Sequence, residues 1–178
     1  GFIGSHLVDY LIQQYPNHTI VSLDKMTYAA NLDNLQEAMR NKLHYFVKGD
    51  INDVALVQSL FDKFAINGIF HLAAESHVDN SILGPETFVQ SNIVGTFHLL
   101  EIARKNWLQK GIQGRFLHVS TDEVYGSLGH DGHFTEQSAY QPNSPYSASK
   151  ASSDLLVRSY CKTYGLDAII THCSNNFG

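Results

Sequence analysis

Cysteine, charged residues and long apolar runs are all scarce in this chain of 178 residues. Its two cysteines, Cys161 and Cys173, cannot build a framework of disulfides, so we expect a reducing, cytoplasmic location. No apolar run approaches the roughly 18 residues that cross a bilayer, which argues against a membrane-spanning helix. The 12 Lys and Arg against 17 Asp and Glu give a net charge of −5. This acidic balance argues against a nucleic-acid partner, which would require a basic patch.

The rest of the composition is that of a folded domain. Hydrophobic residues make up 43% of the chain and charged residues only 16%, which excludes a disordered protein. No repeat, low-complexity stretch or linker interrupts residues 1–178, so we expect one domain without an internal boundary. The chain begins without a methionine and inside a glycine motif. We therefore interpret it as a fragment that lacks its first strand and a C-terminal substrate region, and we expect the isolated piece to fold poorly and to be inactive.

Helix and strand patterns alternate along the sequence. Apolar residues at helical spacing predict helices at about residues 6–15, 32–39, 54–64, 85–105 and 145–164. Short apolar runs predict strands at about residues 19–23, 43–47, 68–73, 116–119 and 168–170. This order favours an α/β fold with a doubly wound, Rossmann-like parallel sheet. In such sheets ligands bind at the carboxyl ends of the strands.

Four motifs at predicted strand ends indicate a dinucleotide site. Gly1-Phe2-Ile3-Gly4 is followed by an amphipathic helix, and glycines there let the backbone approach a pyrophosphate at the helix N-terminus. Asp24 ends a strand about 20 residues later, where a carboxylate can bond ribose hydroxyls and repel a 2′-phosphate. Gly49-Asp50-Ile51 and Leu72-Ala73-Ala74 follow two further strands. Together these motifs predict binding of NAD rather than NADP.

A tyrosine and a lysine at the start of a predicted helix indicate oxidation chemistry. Tyr146 and Lys150 are four residues apart, so they share one helix face. A free tyrosine has a pKa of about 10. We expect Lys150 and a cationic nicotinamide ring to lower the pKa of Tyr146, so that it can take a proton from a substrate hydroxyl. A predicted strand that ends in Ser120-Thr121 comes before them, and Asp122-Glu123 follow it directly.

These motifs resemble the extended short-chain dehydrogenase/reductase superfamily and, within it, the dTDP-glucose 4,6-dehydratase family. The resemblance covers essentially the whole chain, in stretches such as HLAAESHVDNSI, STDEVYG and PYSASKASSDLLVR. The Asp-Glu pair after Ser-Thr is its specific part, because many superfamily members share the glycines and the Tyr-Lys pair. The resemblance implies a lyase that converts dTDP-glucose to dTDP-4-keto-6-deoxyglucose. NAD would oxidise C4, water would leave across C5–C6, and the hydride would return to C6. The resemblance also implies a homodimer and a role in deoxysugar synthesis.

The resemblance assigns roles to individual residues. Asp122 would be the general acid and Glu123 the general base of the elimination, Thr121 would bond the sugar near O4, Tyr146 would be the base of the oxidation and Lys150 would hold ribose. Cofactor contacts are implied for Gly1, Phe2, Ile3, Gly4, Asp24, Lys25, Thr27, Asp50, Ile51, Leu72, Ala73, Ala74, Ser76, Ser91, Tyr146, Lys150 and Asn176. Substrate contacts are implied for Ser76, Thr121 and Asn175. His172 stands where the family commonly has Asn, and Asn80 where it commonly has Arg.

Two other interpretations stay open. An epimerase or decarboxylase of the same superfamily would share most motifs, although Asp122-Glu123 argues against an epimerase. A non-catalytic NAD-binding module would need only the nucleotide motifs, and the intact Thr121, Tyr146 and Lys150 argue against it. The ten histidines do not predict a metal site, because the tightest group, His130-Asp131-Gly132-His133, lies in a glycine-rich loop without supporting ligands.

Overall fold

The computed structural model describes residues 1–129 and 132–176. Every strand pair within these residues is parallel, and helices alternate with the strands. The predicted parallel α/β class is therefore confirmed. The chain divides into two compact units, residues 1–53 and residues 54–178. The expectation of a single domain stays a prediction.

The first unit contains one α-helix, two short 3₁₀ helices and a two-stranded parallel sheet. Helix α1 (Phe2–Gln14) begins directly after Gly1, and strand β1 (Ile20–Asp24) pairs with β2 (His44–Lys48). The α-helix predicted at 32–39 is wrong, since two short 3₁₀ helices, Leu32–Leu35 and Ala38–Arg40, occupy this region. The side chain of Asn31 accepts a hydrogen bond from the N–H of Asp33 at 2.9 Å. Such local side-chain bonds favour turns over continuous α-helix.

The second unit contains a three-stranded parallel sheet in the order β3–β4–β5. Its elements in chain order are α2 (Val54–Lys63), β3 (Gly68–His71), α3 (Val78–Leu83), α4 (Pro85–Phe88), α5 (Gly95–Trp107), β4 (Arg115–Thr121), α6 (Pro145–Tyr164) and β5 (Ala168–Cys173). Helix α6 packs on β4, β5 and α5. Thr121 and Cys173 are register partners at the carboxyl ends of β4 and β5. None of the helices in the described ranges is long and apolar enough to cross a membrane.

A π-helical segment, Val89–Val94, lies where the sequence predicts the middle of a continuous helix over 85–105. Pro85 does occupy the first turn of α4, as predicted. Asn92, which is 1% exposed, lies within this segment and bonds distant parts of the chain. Its amide accepts from the N–H of Glu75 at 2.8 Å and donates to the Glu75 carbonyl at 2.9 Å and to Ser149 Oγ at 2.8 Å. The π segment thus ties the loop after β3 to α6, in keeping with the frequent occurrence of such segments at functional sites.

Helix α6 begins and ends at residues that fix its position against the sheet. Ser144 caps its N-terminus in a capping box with Ser147, and Pro145 occupies the first turn. Gly165 ends the helix with a φ of 72°, which confirms the predicted stop. The first two turns of α6 therefore start at a defined point, and these turns carry Tyr146 and Lys150.

Candidate active site

The carboxyl end of β4 passes directly into a 3₁₀ turn, Asp122–Tyr125, that carries two adjacent carboxyl groups. Thr121 is 7% exposed. Its hydroxyl oxygen accepts a hydrogen bond from the N–H of Glu123 at 3.3 Å, and the hydroxyl lies 3.4 Å from Asp122 Oδ1, to which it donates. Thr121 therefore fixes the start of the turn that presents Asp122 and Glu123.

The carboxyl group of Glu123 differs electrostatically from that of an ordinary surface glutamate. Burial raises the pKa of Glu123, and the neighbouring carboxylate of Asp122 raises it further. A carboxylate with a raised pKa is a stronger base once it has lost its proton. Two adjacent acids in different environments can divide the roles of acid and base between them.

Tyr146 lies in the first turn of α6, beside Thr121 and Glu123. Its backbone N–H donates to Ser81 Oγ at 3.1 Å, and its ring packs edge-on against Phe88. Burial raises the pKa of Tyr146 to about 12, the charge of Glu123 adds to this effect, and a hydrogen bond with the Thr121 side chain opposes it. The lysine bonds elsewhere, so burial and the carboxylates determine the pKa of the phenol here. The lower pKa expected with a bound nicotinamide ring stays a prediction.

Lys150 is buried, with only 4% of its surface exposed. Its Nζ donates to the backbone carbonyl of Val119 in β4 at 2.7 Å. Burial lowers the pKa of Lys150 to about 8, and the charges of Asp154 and Cys173 oppose this shift. The helix thus holds a cation against the end of the strand that carries Thr121.

The other predicted contacts of the second unit lie in loops and in the π segment. Leu72 and Ser91 are half-buried, and the remaining side chains are exposed: Ala73, Ala74, Ser76, Asn175 and Asn176. The side-chain amide of Asn176 donates to the carbonyl of Ser174 at 3.1 Å. Their contacts with cofactor or substrate stay predictions.

The predicted nucleotide residues of the first unit have a donor and acceptor set that fits a dinucleotide. A Cβ added to Gly4 would meet nothing within 4 Å, so space at the start of α1 is open for a phosphate to approach its N–H groups. Asp24 ends β1, and its Oδ1 accepts from the N–H of Met26 at 2.7 Å. Its carboxylate retains acceptor capacity for ribose hydroxyls.

Lys25 and Asp50, both predicted near the adenosine, bind each other with Nζ 2.7 Å from Oδ2. Burial raises the pKa of Asp50, but the hydrogen bond and charge of Lys25 and the bonds from Asn52 outweigh it and lower the pKa. Ile51 is buried. Phe2, Ile3 and Thr27 are exposed. The roles of these residues toward a cofactor stay predictions.

Sequence reasoning missed four residues that support the site. Ser81 bonds the backbone of Tyr146, and Asn92 bonds the backbone of Glu75. The other two are Tyr125 and Asp154, which belong to one cluster of polar side chains. A signal existed for Asp154, because it follows Lys150 by four residues on the same helix face. Asn92 also interrupts a largely apolar helical pattern, which is a weaker signal.

The described residues contain no group of three or more His, Cys, Asp or Glu side chains arranged to hold a metal. His130 and Asp131, from the histidine group noted in the sequence, lie outside these residues.

The sequence of this chain is similar to those of several curated proteins that share one name. Salmonella typhimurium dTDP-glucose 4,6-dehydratase is 49% identical over an alignment of 191 residues that covers 100% of this chain and 53% of that protein. The Haemophilus influenzae enzyme of the same name is 50% identical, with 100% of this chain and 54% of that protein covered. The chain thus spans about half the length of the curated relatives it matches.

Several solved structures have a fold similar to that of this chain. The dTDP-glucose 4,6-dehydratase DesIV from Streptomyces venezuelae, solved with NAD bound, has a TM-score of 0.91 and 47% identity, covering 100% of this chain and 54% of that one. A UDP-glucose 4-epimerase from Thermotoga maritima has a TM-score of 0.88 and 28% identity, with coverages of 100% and 54%. The model of the GDP-mannose 4,6-dehydratase family matches residues 1–178. On this match, the chain belongs to the GDP-mannose 4,6-dehydratase family.

Proposed function

We propose that the full-length protein carrying this chain is an NAD-dependent hydro-lyase that converts dTDP-glucose to dTDP-4-keto-6-deoxyglucose, a precursor of deoxysugars. The choice of dTDP-glucose rests on the names of relatives that are about 50% identical to this chain. The observation that carries the reaction type is the turn that presents Asp122 and Glu123 beside Thr121 and Tyr146.

The cofactor residues are proposed from the fit of their donors and acceptors. Gly1 to Gly4 would receive the pyrophosphate at the start of α1, and Asp24 would bond a ribose. Lys150 and Tyr146 would hold the second ribose near the reacting sugar. When bound, NAD supplies an acceptor and donor of hydride for the sugar carbons.

The side chains of the second unit then carry the proton transfers. Tyr146 takes the proton of the C4 hydroxyl, while the hydroxyl of Thr121 holds O4 in place. A phenol with a pKa of about 12 needs a nearby positive charge to act near neutral pH, and an oxidised nicotinamide ring, when bound, would supply a charge of that sign. Glu123 removes the C5 proton, which the C4 ketone has made acidic. Asp122 donates a proton to the departing C6 hydroxyl, so that water leaves.

The location and assembly of the protein are proposed from its composition and from the family resemblance. The low cysteine content favours the cytoplasm. A homodimer is proposed from the family resemblance, and the exposed apolar residues Phe97 on α5 and Leu155 on α6 are consistent with a partner surface on these helices.

The test is to incubate the full-length protein with dTDP-glucose and NAD and to identify the sugar product by mass and NMR spectroscopy. We expect a 4-keto-6-deoxy sugar that is lighter than the substrate by one water. A C4 epimer of unchanged mass would favour the epimerase alternative, to which the T. maritima structure is similar. Bound NAD without any product from dTDP-glucose or GDP-mannose would favour a non-catalytic module. Either result would refute the proposal.

A further inference from the structure

A buried cluster of polar side chains centres on Asp154 in α6, which is 1% exposed. Its Oδ2 accepts hydrogen bonds from the hydroxyls of Ser120 at 2.8 Å and Tyr140 at 3.2 Å, and lies 3.1 Å from Nε2 of His172. Nε2 of His118 lies 3.2 Å from the other oxygen, Oδ1. The proposed reaction assigns no role to any of these side chains.

The hydrogen-bond pattern assigns a proton position to His172. Burial raises the pKa of Asp154, but its bonds with His118 and His172 outweigh burial and hold the pKa at about 2, so the carboxylate only accepts. Nε2 of His172 also lies 3.0 Å from the hydroxyl oxygen of Tyr140, whose own hydrogen goes to Asp154. Nε2 therefore faces two acceptors and carries the hydrogen. Nδ1 of His172 lies 3.2 Å from the hydroxyl oxygen of Tyr125. In a neutral ring with Nε2 protonated, Nδ1 accepts from that hydroxyl.

Tyr125 connects this cluster to the candidate catalytic acids. It is the last residue of the Asp122–Tyr125 turn and is 8% exposed. Its ring packs against the rings of Phe134, Tyr140 and His172. Thr121 fixes the start of the turn, whereas the hydroxyl of Tyr125 fixes its end.

The oxidation residues are anchored separately. Tyr146 is held by Ser81, and Lys150 is held by the carbonyl of Val119. Neither of these bonds involves His172 or Tyr125. A change at His172 should therefore disturb the Asp122–Tyr125 turn more than it disturbs Tyr146 and Lys150.

We propose that His172, oriented by Asp154, is a positioning residue that holds the Asp122–Glu123 turn through the hydroxyl of Tyr125 and so controls the elimination step. This inference rests on the proposed function, since the elimination is part of that reaction. A misplacement of catalytic groups by about 1 Å can cost on the order of 100-fold in rate, so the loss of one anchoring bond is expected to have a visible effect.

The test uses two pairs of variants in the full-length protein. Tyr125→Phe removes the hydroxyl at the end of the turn. Tyr160→Phe makes the same chemical change at a buried tyrosine of α6 whose hydroxyl donates to Glu101, outside the cluster. His172→Asn places an amide oxygen near the position of Nδ1, where it can accept from Tyr125. His172→Gln instead places its amide near the position of Nε2, where it can bond Asp154 but not Tyr125.

Two quantities are measured for each variant: the rate of 4-keto-6-deoxy product formation, and the near-ultraviolet absorbance of reduced nicotinamide during turnover. For Tyr125→Phe and His172→Gln we expect product formation to fall about tenfold while reduced nicotinamide accumulates, because oxidation continues and elimination lags. Tyr160→Phe and His172→Asn should keep the behaviour of the unaltered protein. NAD binding, measured by equilibrium dialysis, should be the same in all four.

A merely structural role would give a different pattern. If Tyr125→Phe and Tyr160→Phe slow product formation equally, with no accumulation of reduced nicotinamide, the inference is wrong. It is also wrong if His172→Asn and His172→Gln cannot be distinguished. These outcomes leave the proposed function intact as long as the unaltered protein makes the product. If the unaltered protein makes none, the proposed function fails and the inference fails with it.

Discussion

Replacing Lys150 by methionine should stabilise the protein while it abolishes activity. The ammonium is buried, and its pKa falls from 10.5 to about 8. A lower pKa in the folded state means that the unfolded chain binds the proton more tightly, so the buried charge destabilises the fold at pH 7. The difference corresponds to about 3 kcal/mol. Methionine has a similar length and an apolar, flexible side chain that can fill the same space.

The expected increase in the free energy of unfolding is smaller than the free-energy cost of burying the charge. The substitution removes the bond from Nζ to the carbonyl of Val119, and an unpaired buried carbonyl costs about 1 kcal/mol or more. We therefore expect Lys150→Met to raise the free energy of unfolding by about 1 to 2 kcal/mol at pH 7. The advantage should shrink as the pH rises from about 8 to 10.5, where the wild-type lysine loses its proton in the folded state.

The assay is urea unfolding of the full-length protein without bound nucleotide, followed by circular dichroism at several pH values. Lys162→Met is the matched control, because Lys162 is an exposed lysine on the same helix, and its substitution should change stability by less than about 0.5 kcal/mol. If Lys150→Met lowers stability at pH 7 while Lys162→Met leaves it unchanged, the reasoning about the buried charge is refuted.

Three further substitutions test the supports of the site. Gly126→Ala should lower the free energy of unfolding by about 1 to 3 kcal/mol in thermal unfolding, because Gly126 has a φ of 93° and the new Cβ would lie 2.6 Å from the carbonyl oxygen of Gln141. Gly129→Ala is the control and should be nearly neutral, because its Cβ would meet nothing within 4 Å. Asn92→Ala removes three hydrogen bonds, two of them to the backbone of half-buried Glu75, and should cost about 1 to 3 kcal/mol in urea unfolding. An unchanged midpoint would contradict the role given to the amide. The pKa of Asp154 is lowered from 3.8 to about 2, so the stabilisation from its carboxylate is present above pH 3.8 and is lost as the pH falls toward 2. Asp154→Asn should therefore make the free energy of unfolding less dependent on pH in that window.

The features that could be predicted from sequence are those set by local residues. Strand β2 and helix α6 lie within a residue of the predicted positions. A short apolar run marks the strand, and Pro145 and Gly165 mark the two ends of the helix, without help from distant contacts. The Asp122-Glu123 pair was found in the same way, since it follows a strand end directly in the sequence.

The features that could not be predicted depend on contacts between distant parts of the chain. The π segment forms around Asn92, whose partners Glu75 and Ser149 lie 17 and 57 residues away. The pKa of Tyr146 rises because folding buries it beside Glu123, which no spacing along the sequence reveals. The cluster around Asp154 similarly collects His172 and Tyr140 from different elements.

The most direct test of the central claim is to remove the two carboxyl groups and keep the oxidation residues. In the full-length protein, the double variant Asp122→Asn, Glu123→Gln leaves Thr121, Tyr146 and Lys150 in place. With dTDP-glucose and NAD, we expect reduced nicotinamide to form while release of the 4-keto-6-deoxy sugar nearly stops. Product formation at the rate of the unaltered protein would contradict the assignment of this turn as the site of elimination.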